Sequence, residues 1–280
     1  MTSKSSELSE TYLSSERADA WQRESLRRKE SSGAATEMLL NLADLRAGDR
    51  VLEVAAGTGD QALMISRRIG SSGQVVAVDI SSNMLAHAAA AAREAGLANV
   101  ETRVMNAEKL DFEADSFDAV LCRFALMLFP NPTGGLAEML RVVKPTRKVA
   151  VMVWSTAEKN PFHGLPLQVV RNIGNLPAPA SGRPGLFSLS GAGDLEGVYR
   201  DEGFSDVAIH AAPLRRKYAS LQDAIQGMKS TMVVLQDLMA KLSAADQARA
   251  WEQIERGMSS FVGPNGFDAP GEALIAVGTK

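Results

Sequence analysis

The spacing of hydrophobic and polar positions changes near Gly48. From about residue 12 to residue 45, apolar side chains such as Leu39 and Leu42 recur at helical spacing. Beyond Gly48, short apolar and β-branched stretches alternate with segments rich in Ala, Leu, Met and Arg, which is typical of strands covered by helices on both faces. The predicted strands are 50–55, 74–79, 100–104, 117–122 and 148–154, and the predicted helices between them are 61–69, 83–95 and 135–143.

The regular alternation stops after Trp154. Residues 155–190 contain five prolines and several glycines, which predicts irregular chain with one helix near 165–173. A helix over 194–203, a strand over 207–211, two or three amphipathic helices within 220–258 and a strand over 273–279 complete the pattern. We therefore predict an α/β fold: a doubly wound, Rossmann-like, mostly parallel seven-stranded sheet with helices on both faces and a helical cap.

This pattern divides the chain into four parts. Residues 1–45 form a predicted N-terminal helical lid, with Tyr12 and Trp21 as its aromatic residues. Residues 46–154 form the nucleotide-binding core, and 155–190 form a Pro-rich segment on the substrate side. Residues 191–280 complete the sheet, with the cap inserted at about 220–258. The Met- and Leu-rich stretch 228–242 fits either the wall of an apolar pocket or ordinary core packing.

Composition excludes several classes of protein. The 280 residues are 45% hydrophobic and 22% charged, which are globular values. The 30 basic and 33 acidic side chains leave a net charge of −3, which argues against a nucleic-acid partner. One cysteine, without a pair of histidines at ligand spacing, gives no support to a disulfide or a metal site. Without an apolar run of about 18–20 residues or a signal peptide, we expect a reducing cytoplasm.

Candidate chemistry begins where the first predicted strand ends. Gly57-Thr58-Gly59 links that strand to a helix, and such a turn lets a ligand approach the backbone. A plain strand-to-helix turn explains the two glycines equally well, but two acidic residues favour a ligand. Glu53 sits inside the apolar strand, where an unpaired carboxylate is costly. Asp79 ends the second strand 20 residues after Gly59, at the spacing of an acid that binds ribose hydroxyls.

Two nucleotide cofactors fit this pattern. The dinucleotide fingerprint has a third glycine where this chain has Ala62, and that pattern tolerates alanine. Glu53 separates the two cofactors better, because an acid before the turn repels a pyrophosphate but can pair with the ammonium of an amino-acid moiety. The sequence therefore favours S-adenosylmethionine over NAD.

Five short motifs together resemble the class I S-adenosylmethionine-dependent methyltransferases, especially the small-molecule branch of ubiquinone/menaquinone biosynthesis (methyltransferase type 11). They are residues 53–59, 77–81, 106–108, 117–120 and 140–145. The resemblance covers about residues 45–154 well and the remainder in outline. Ala55 stands where the family usually has glycine; its methyl group should be accommodated if the residue keeps a negative φ, and cofactor affinity could be altered. Residues 145–147, Pro-Thr-Arg, replace the usual Pro-Gly-Gly in a loop away from the chemistry.

The resemblance implies the cofactor S-adenosyl-L-methionine, with S-adenosyl-L-homocysteine as product, and a role for each matching residue. Met84 also fits ordinary core, Glu108 a solvated loop, and Asp118 a purely structural link. The cofactor-binding positions are Glu53, Ala55, Ala56, Gly57 and Gly59 for the methionine part, Asp79 for the ribose, Ile80, Met84, Asn106, Ala107 and Glu108 for the adenine, and Cys122, Arg123 and Phe124 beside the sulfonium and the acceptor.

Methyl transfer from a sulfonium needs alignment, exclusion of water and, for O–H or C–H acceptors, removal of a proton. His163 is the candidate base because the irregular segment after the fifth strand should overhang the acceptor. Arg123 could fix a carboxylate of the acceptor or pair with an acidic neighbour. We expect His87 and His210 to be structural. Cys122 could also be a nucleophile or a metal ligand, although a metal site has little support.

The predicted function is methyl transfer from S-adenosylmethionine to a small-molecule acceptor, apolar or aromatic, with O-, C-, N- and S-methylation open. Two alternatives stay open. A nicotinamide-dependent oxidoreductase would need a hydride-transfer dyad such as Tyr-x-x-x-Lys, which the sequence lacks. A binding module without turnover would keep the fold but not the chemistry. No nucleic-acid partner and no membrane span are expected, and a homodimer is compatible with the sequence.

Overall fold

The computed structural model describes residues 13–178 and 183–280, so Tyr12 lies outside the described residues. Two helices open the described chain, and the hydroxyl of Ser14 caps the first by accepting from the Arg17 N–H. The helices are α1 (Ser15–Arg23), α2 (Ser25–Leu42), α3 (Asp60–Ile69), α4 (Ser82–Glu94), α5 (Pro132–Val142), α6 (Pro161–Ile173), α7 (Ala192–Asp201), α8 (Leu221–Thr231), α9 (Val233–Met239) and α10 (Ala244–Met258).

The eight strands of the described residues form one sheet. Seven of them follow the order β3-β2-β1-β4-β5-β8-β6, and the two-residue β7 pairs with β8 outside that order. The strands β1 to β5 are parallel, and β8 runs antiparallel to both β5 and β6. The strand order reverses at β1 and β4, and the carboxyl ends of strands at such a point form a ligand crevice. The predicted mostly parallel sheet is confirmed. The strands are β1 (Arg50–Val54), β2 (Gln74–Asp79), β3 (Val100–Val104), β4 (Phe117–Arg123), β5 (Val143–Trp154), β6 (Ser205–Tyr218), β7 (Val262–Gly263) and β8 (Gly266–Thr279).

The last two long strands extend well past their predicted bounds. Each has 14 residues, and their pairing continues to Tyr218 opposite Phe267. The outer part of β6 alternates buried Ala212 and Leu214 with exposed Pro213 and neighbouring basic residues. That period of two indicates a half-buried strand. The prediction ended at residue 211 because it relied on continuous apolar runs, which the proline and the polar residues interrupt. The extension carries the cap.

The Pro-rich segment is more regular than predicted. Helix α6 begins at Pro161 rather than near residue 165, so His163 lies in its first turn and not in irregular chain. Proline fits the first helical position because the N–H it lacks has no partner there. Pro166 lies inside the helix, where it removes one backbone hydrogen bond.

Two hydrophobic clusters pack on this framework. The larger lies around the sheet, and the smaller joins α6 to the cap through buried residues such as Met228, Leu235 and Phe267. Met228 and Leu235 are fully buried, which favours core packing over a pocket wall for the stretch 228–242. No helix within the described ranges is long and apolar enough to cross a membrane.

Candidate functional site

The turn after β1 has an unusual backbone conformation. Ala55, Gly57 and Gly59 all have positive φ, of 56°, 56° and 85°. Ala55 therefore does not keep the negative φ on which easy accommodation of its methyl group depended. The adjacent Ala56 N–H donates to the carbonyl of Val78 at 3.0 Å, which fixes the turn against β2. Alanine in this region costs about 1–2 kcal/mol relative to glycine, which explains why glycine is usual there in the family that the motifs resemble.

Gly59 brings the turn into close contact with α4. A Cβ built on Gly59 would lie 2.8 Å from the Cβ and 2.9 Å from the Cα of Ala88. Gly59 is also the residue that precedes α3, whose first turn follows directly. The free N–H groups of that first turn therefore face the carboxyl ends of the strands, where helix N-termini favour anionic or polar ligand groups.

Asp79 ties the glycine turn to the second strand. One carboxylate oxygen accepts from the Gly57 N–H and the other from the Ser81 N–H, both at 2.9 Å. Burial raises the pKa of Asp79, while the N–H groups of Ser81 and Gly57 oppose that rise. Each oxygen keeps lone-pair capacity for one further donor. The side chain is thus oriented for additional hydroxyl donors at the crevice.

Glu53 is a buried acid without a full set of partners. It lies in register with Ala77 of β2 and Leu121 of β4 and is 2% exposed. Its Oε2 atom has no hydrogen-bond partner among the residues that the structure describes. Burial raises the pKa of Glu53 to about 8, against the opposing influence of the Arg123 charge. At neutral pH the side chain is mostly protonated, and a cation placed beside it would ionise it.

The N-terminal helices cover this crevice. Arg28 on α2 donates to Asp60 at 2.7 Å, to the hydroxyl of Thr58 at 3.0 Å and to the carbonyl of Trp21. Its guanidinium lies 4.4 Å from the centre of the Trp21 ring. The Trp21 Nε1 atom would lie 3.5 Å from a Cβ built on Gly57. Trp21 therefore sits on the glycine turn, and Arg28 holds it there.

The predicted adenine positions follow β2 and β3. Ile80 is 39% exposed, whereas Met84 is buried in the first turn of α4. A space of about 10 Å³, room for roughly one water, lies between Met84, Trp21 and the cap helices. The side chain of Asn106 accepts from the Glu108 N–H, and Glu108 accepts from the Asn131 N–H, both at 2.9 Å. Ala107 between them is buried.

The three site residues predicted at the end of β4 lie in three different environments. Cys122 is fully buried in the core, and burial raises the pKa of its thiol to about 12, so the thiol stays protonated. The next residue, Arg123, points to the opposite face of the strand, where it donates to the buried hydroxyl of Thr36 at 3.0 Å. Phe124 stacks on Trp154 with ring centres 4.2 Å apart.

On the acceptor side, His163 is surrounded by aromatic rings. Its ring centre is 4.5 Å from that of Trp154 and 5.2 Å from that of Phe162, and the side chain is nearly inaccessible. Burial, reinforced by the charge of Arg216, holds the pKa of His163 well below its usual value. The imidazole is therefore neutral at pH 7 and can accept a proton.

Arg216 of β6 was not singled out by the sequence. Its guanidinium lies 5.2 Å from the ring centre of Trp154 and 5.8 Å from that of Phe162, and it donates to the hydroxyl of Ser31 at 3.1 Å. A signal was available, because the inward positions of β6 include Ala212, Leu214 and Tyr218 at a period of two. Arg216 falls on that same inward series.

Comparison with known proteins decides the family. The sequence profile described as the ubiE/COQ5 methyltransferase family matches residues 35–176, half of the chain. The chain belongs to the ubiE/COQ5 methyltransferase family. The predicted resemblance is thereby confirmed, and the matched range contains α6 and His163 as well as the predicted cofactor positions.

Relatives and solved structures agree with this family. The ubiquinone/menaquinone biosynthesis C-methyltransferase UbiE of Pseudomonas putida is 39% identical over 117 residues, 41% of this chain and 46% of that protein. The chain thus spans about half the length of the curated relatives it matches. The YcgJ protein of Bacillus subtilis superposes with a TM-score of 0.59 at 21% identity, covering 88% of this chain and 97% of that one. Phosphoethanolamine N-methyltransferase 2 of Haemonchus contortus gives a TM-score of 0.55 at 18% identity, covering 88% and 52%. At these identities the two structures show the fold alone.

In this ubiE/COQ5 family member, most of the predicted site residues meet at one edge of the sheet. Glu53, the glycine turn and Asp79 share the crevice beneath α1 and α2, and Arg123 and Phe124 lie beside it. Cys122 differs, because its side chain belongs to the core.

Other residues singled out in the sequence lie outside the crevice. Asp118 accepts from the Arg50 N–H and from Lys144, and these two bonds join three strands, so its role is structural. His87 binds Asp19 of α1 at 2.8 Å. Within the described parts of the chain, no group of three or more His, Cys, Asp or Glu side chains could hold a metal ion.

Proposed function

We propose that this chain transfers a methyl group from S-adenosylmethionine to a small-molecule acceptor. Glu53 carries the proposal: a buried carboxyl beside the glycine turn, with one oxygen unpartnered among the described residues. The ammonium of the methionine moiety would supply the missing donor and the missing charge. A pyrophosphate at the same place would face that carboxyl and be repelled.

The remaining cofactor positions fit the same molecule. The lone pairs left on Asp79 suit the two ribose hydroxyls, and the exposed Ile80 with Met84 offers apolar contact to the adenine. Glu108 and Asn106 would border the adenine, although both already bond to backbone N–H groups. The core position of the Cys122 side chain limits it to backbone contact with the ligand. The Haemonchus contortus enzyme was solved with S-adenosylhomocysteine, which supports this cofactor class.

The lid controls water at this site. Trp21 and Arg28 cover the glycine turn, and the space beside Met84 admits about one water. We therefore infer that α1 moves outward to admit the cofactor and returns over it. Closure of this kind removes water from the reacting groups, which favours methyl transfer over hydrolysis.

The bound cofactor supplies an electrophilic methyl group, and the chain aligns the acceptor and removes its proton. The neutral His163 imidazole is the proposed base, accepting the O–H or C–H proton of the acceptor on a ring nitrogen. Arg123 would orient the acceptor from the end of β4. The C-methyltransferase activity of the Pseudomonas putida relative favours carbon as the methylated atom.

The acceptor is selected by the parts of the chain outside the sheet. In the described parts of the chain these are α1 and α2, the segment 155–178 and the helices α8 to α10. We place the reaction in a reducing cytoplasm on the strength of cysteine usage alone. A homodimer remains a prediction, and no residue contributed by a second copy is needed for the proposed chemistry.

Calorimetry with S-adenosylmethionine, S-adenosylhomocysteine and NAD tests this function. We expect both sulfur ligands to bind and NAD not to bind. If NAD binds and neither sulfur ligand does, the methyltransferase proposal is overturned in favour of an oxidoreductase. The Asp79→Ala variant should weaken S-adenosylhomocysteine binding by more than about tenfold, since it removes the proposed ribose acceptor and a bond to the glycine turn. An unchanged dissociation constant contradicts that assignment.

A further inference from the structure

Three arginines from different elements meet under helix α2. Arg28 belongs to α2 itself, Arg123 ends β4, and Arg216 lies on β6. Their hydrogen bonds show that they share this helix, because Arg123 donates to Thr36 of α2 and Arg216 donates to Ser31 of α2. The three guanidinium groups thus lie along α2, with Arg28 at the glycine turn through its bond to Thr58 and the other two bonded to α2 itself.

Only one of the three has a carboxylate partner in the described ranges. Arg28 is paired with Asp60 at 2.7 Å. Arg123 and Arg216 instead donate to neutral hydroxyls, and the Nε atom of Arg216 is buried without any hydrogen-bond partner there. A guanidinium removed from water without an anion is costly, so such a group indicates a missing anionic ligand.

The positions of these two arginines separate cofactor from acceptor. Arg123 acts on Glu53 electrostatically and so lies toward the cofactor side of the crevice. Arg216 lies against Trp154 and Phe162 instead. The carboxylate of the methionine moiety can satisfy one guanidinium near the turn, which leaves Arg216 without an anion on the acceptor side.

The surroundings of Arg216 indicate what carries that anion. Phe124 stacks on Trp154, Trp154 contacts the His163 ring, and His163 contacts Phe162 in an edge-on arrangement. A continuous series of rings favours a flat, aromatic ligand. The fork of a guanidinium matches a carboxylate with two parallel hydrogen bonds.

We propose that the methyl acceptor is an aromatic carboxylate whose acid group binds Arg216, with its ring against Trp154 and Phe124. This inference rests on the proposed methyltransferase function, since it names the substrate class of the same site. It also gives His163 a partner, because a ring held in this way presents its reactive position beside the imidazole.

Paired probes test the acceptor class. Benzoate, salicylate, cinnamate and 2-naphthoate, each with its neutral carboxamide, are titrated by calorimetry into the full chain saturated with S-adenosylhomocysteine. At least one acid should bind about tenfold or more tightly than its amide, the value of a charged hydrogen bond. In Arg216→Met this preference should disappear, and Arg216→Lys should restore part of it. Arg215→Gln is the matched control, because the neighbouring Arg215 is exposed and paired with Asp268.

The outcomes separate this proposal from the proposed function. If the wild-type chain fails to bind S-adenosylhomocysteine, the methyltransferase function itself fails. If it binds that ligand but no acid exceeds its amide, the acceptor class is overturned alone. Arg216→Met with weaker S-adenosylhomocysteine binding and an intact acid preference would assign Arg216 to the cofactor carboxylate instead. Circular dichroism and thermal unfolding of each variant show that the comparison is made on folded protein.

Discussion

The two sides of the crevice hold opposite kinds of buried titratable side chain. On the cofactor side, Glu53 and Asp79 are acids whose pKa values are raised by burial, and Asp79 is held by backbone N–H groups. On the acceptor side, burial lowers the pKa of Arg216 and of His163, and aromatic rings surround both. One side therefore suits a cation and hydroxyl groups, and the other suits an anion with an aromatic body. This difference would orient the cofactor and the acceptor toward each other, and no side chain of the protein would be altered by the reaction.

The largest expected effect concerns the acceptor side. His163→Gln should lower kcat by about 10²–10⁴-fold if the imidazole removes a proton from the acceptor. Because the pKa of His163 lies below its usual value, wild-type activity should persist as pH falls to about 6.5 and decline only below it. Methyl transfer measured with labelled cofactor between pH 5 and 8 checks both points. His87→Gln is the control, and equal losses in the two variants would remove His163 from the chemistry.

The next effect concerns the backbone of the cofactor side. Gly59→Ala should destabilise the chain by about 2–4 kcal/mol, because the new Cβ meets Ala88 and the residue has positive φ. Gly96 is a matched control. It follows α4, the helix that contains Ala88, and it has positive φ with no atom within 4 Å of a built Cβ. Gly96→Ala should cost only about 1 kcal/mol. Urea unfolding measures both, and equal costs would show that the contact with Ala88 is unimportant.

Arg28 tests the lid that both sides share. Arg28→Gln leaves Asp60 without its partner and frees Trp21, so it should cost about 2–3 kcal/mol and speed exchange of the indole N–H. Arg27→Gln removes a more exposed pair with Glu24 and a contact with the Tyr218 ring, and it should change stability by no more than about 1 kcal/mol. Chemical denaturation and tryptophan NMR provide the measurement. A lid that stays closed in Arg28→Gln would refute the role given to Arg28.

The smallest effect, when it is measured over a single pH unit, is the pH dependence that Glu53 adds to stability. Its pKa is about 8 in the folded chain and near 4.5 when unfolded, so the folded state holds the extra proton between these values. Stability due to this group is full below about pH 4.5 and is lost as pH rises toward 8, by up to about 1.4 kcal/mol per pH unit. Glu53→Gln should flatten that part of the curve. Parallel curves for wild type and variant between pH 5 and 8 would mean that Glu53 titrates normally.

The cofactor side was readable from sequence, and the acceptor side largely was not. Strands β1, β2 and β4 are short and mostly apolar, and Glu53 and Asp79 are conspicuous in β1 and β2 because local sequence fixes their place. The positive φ of Ala55 could not be read from the sequence, because the propensity of alanine opposes the conformation that the β1 to β2 contact imposes. Arg216 was missed because its role depends on Ser31 of α2, 185 positions earlier, and on rings from β5 and α6. Such long-range contacts are only weakly visible in the sequence. Here the only sign is that Arg216 occupies an inward position of a strand whose buried residues recur with a period of two.

The central claim is that buried Glu53 ionises to receive the ammonium of S-adenosylmethionine. Titration of S-adenosylhomocysteine, which carries the same ammonium, in phosphate and in Tris at pH 7 measures protons released on binding. We predict release of about one proton by the wild type and almost none by Glu53→Gln, with binding weakened by about tenfold in that variant. Glu37→Gln, on the exposed side of α2, should behave as wild type. Proton release and affinity that are the same in Glu53→Gln as in wild type would contradict the account.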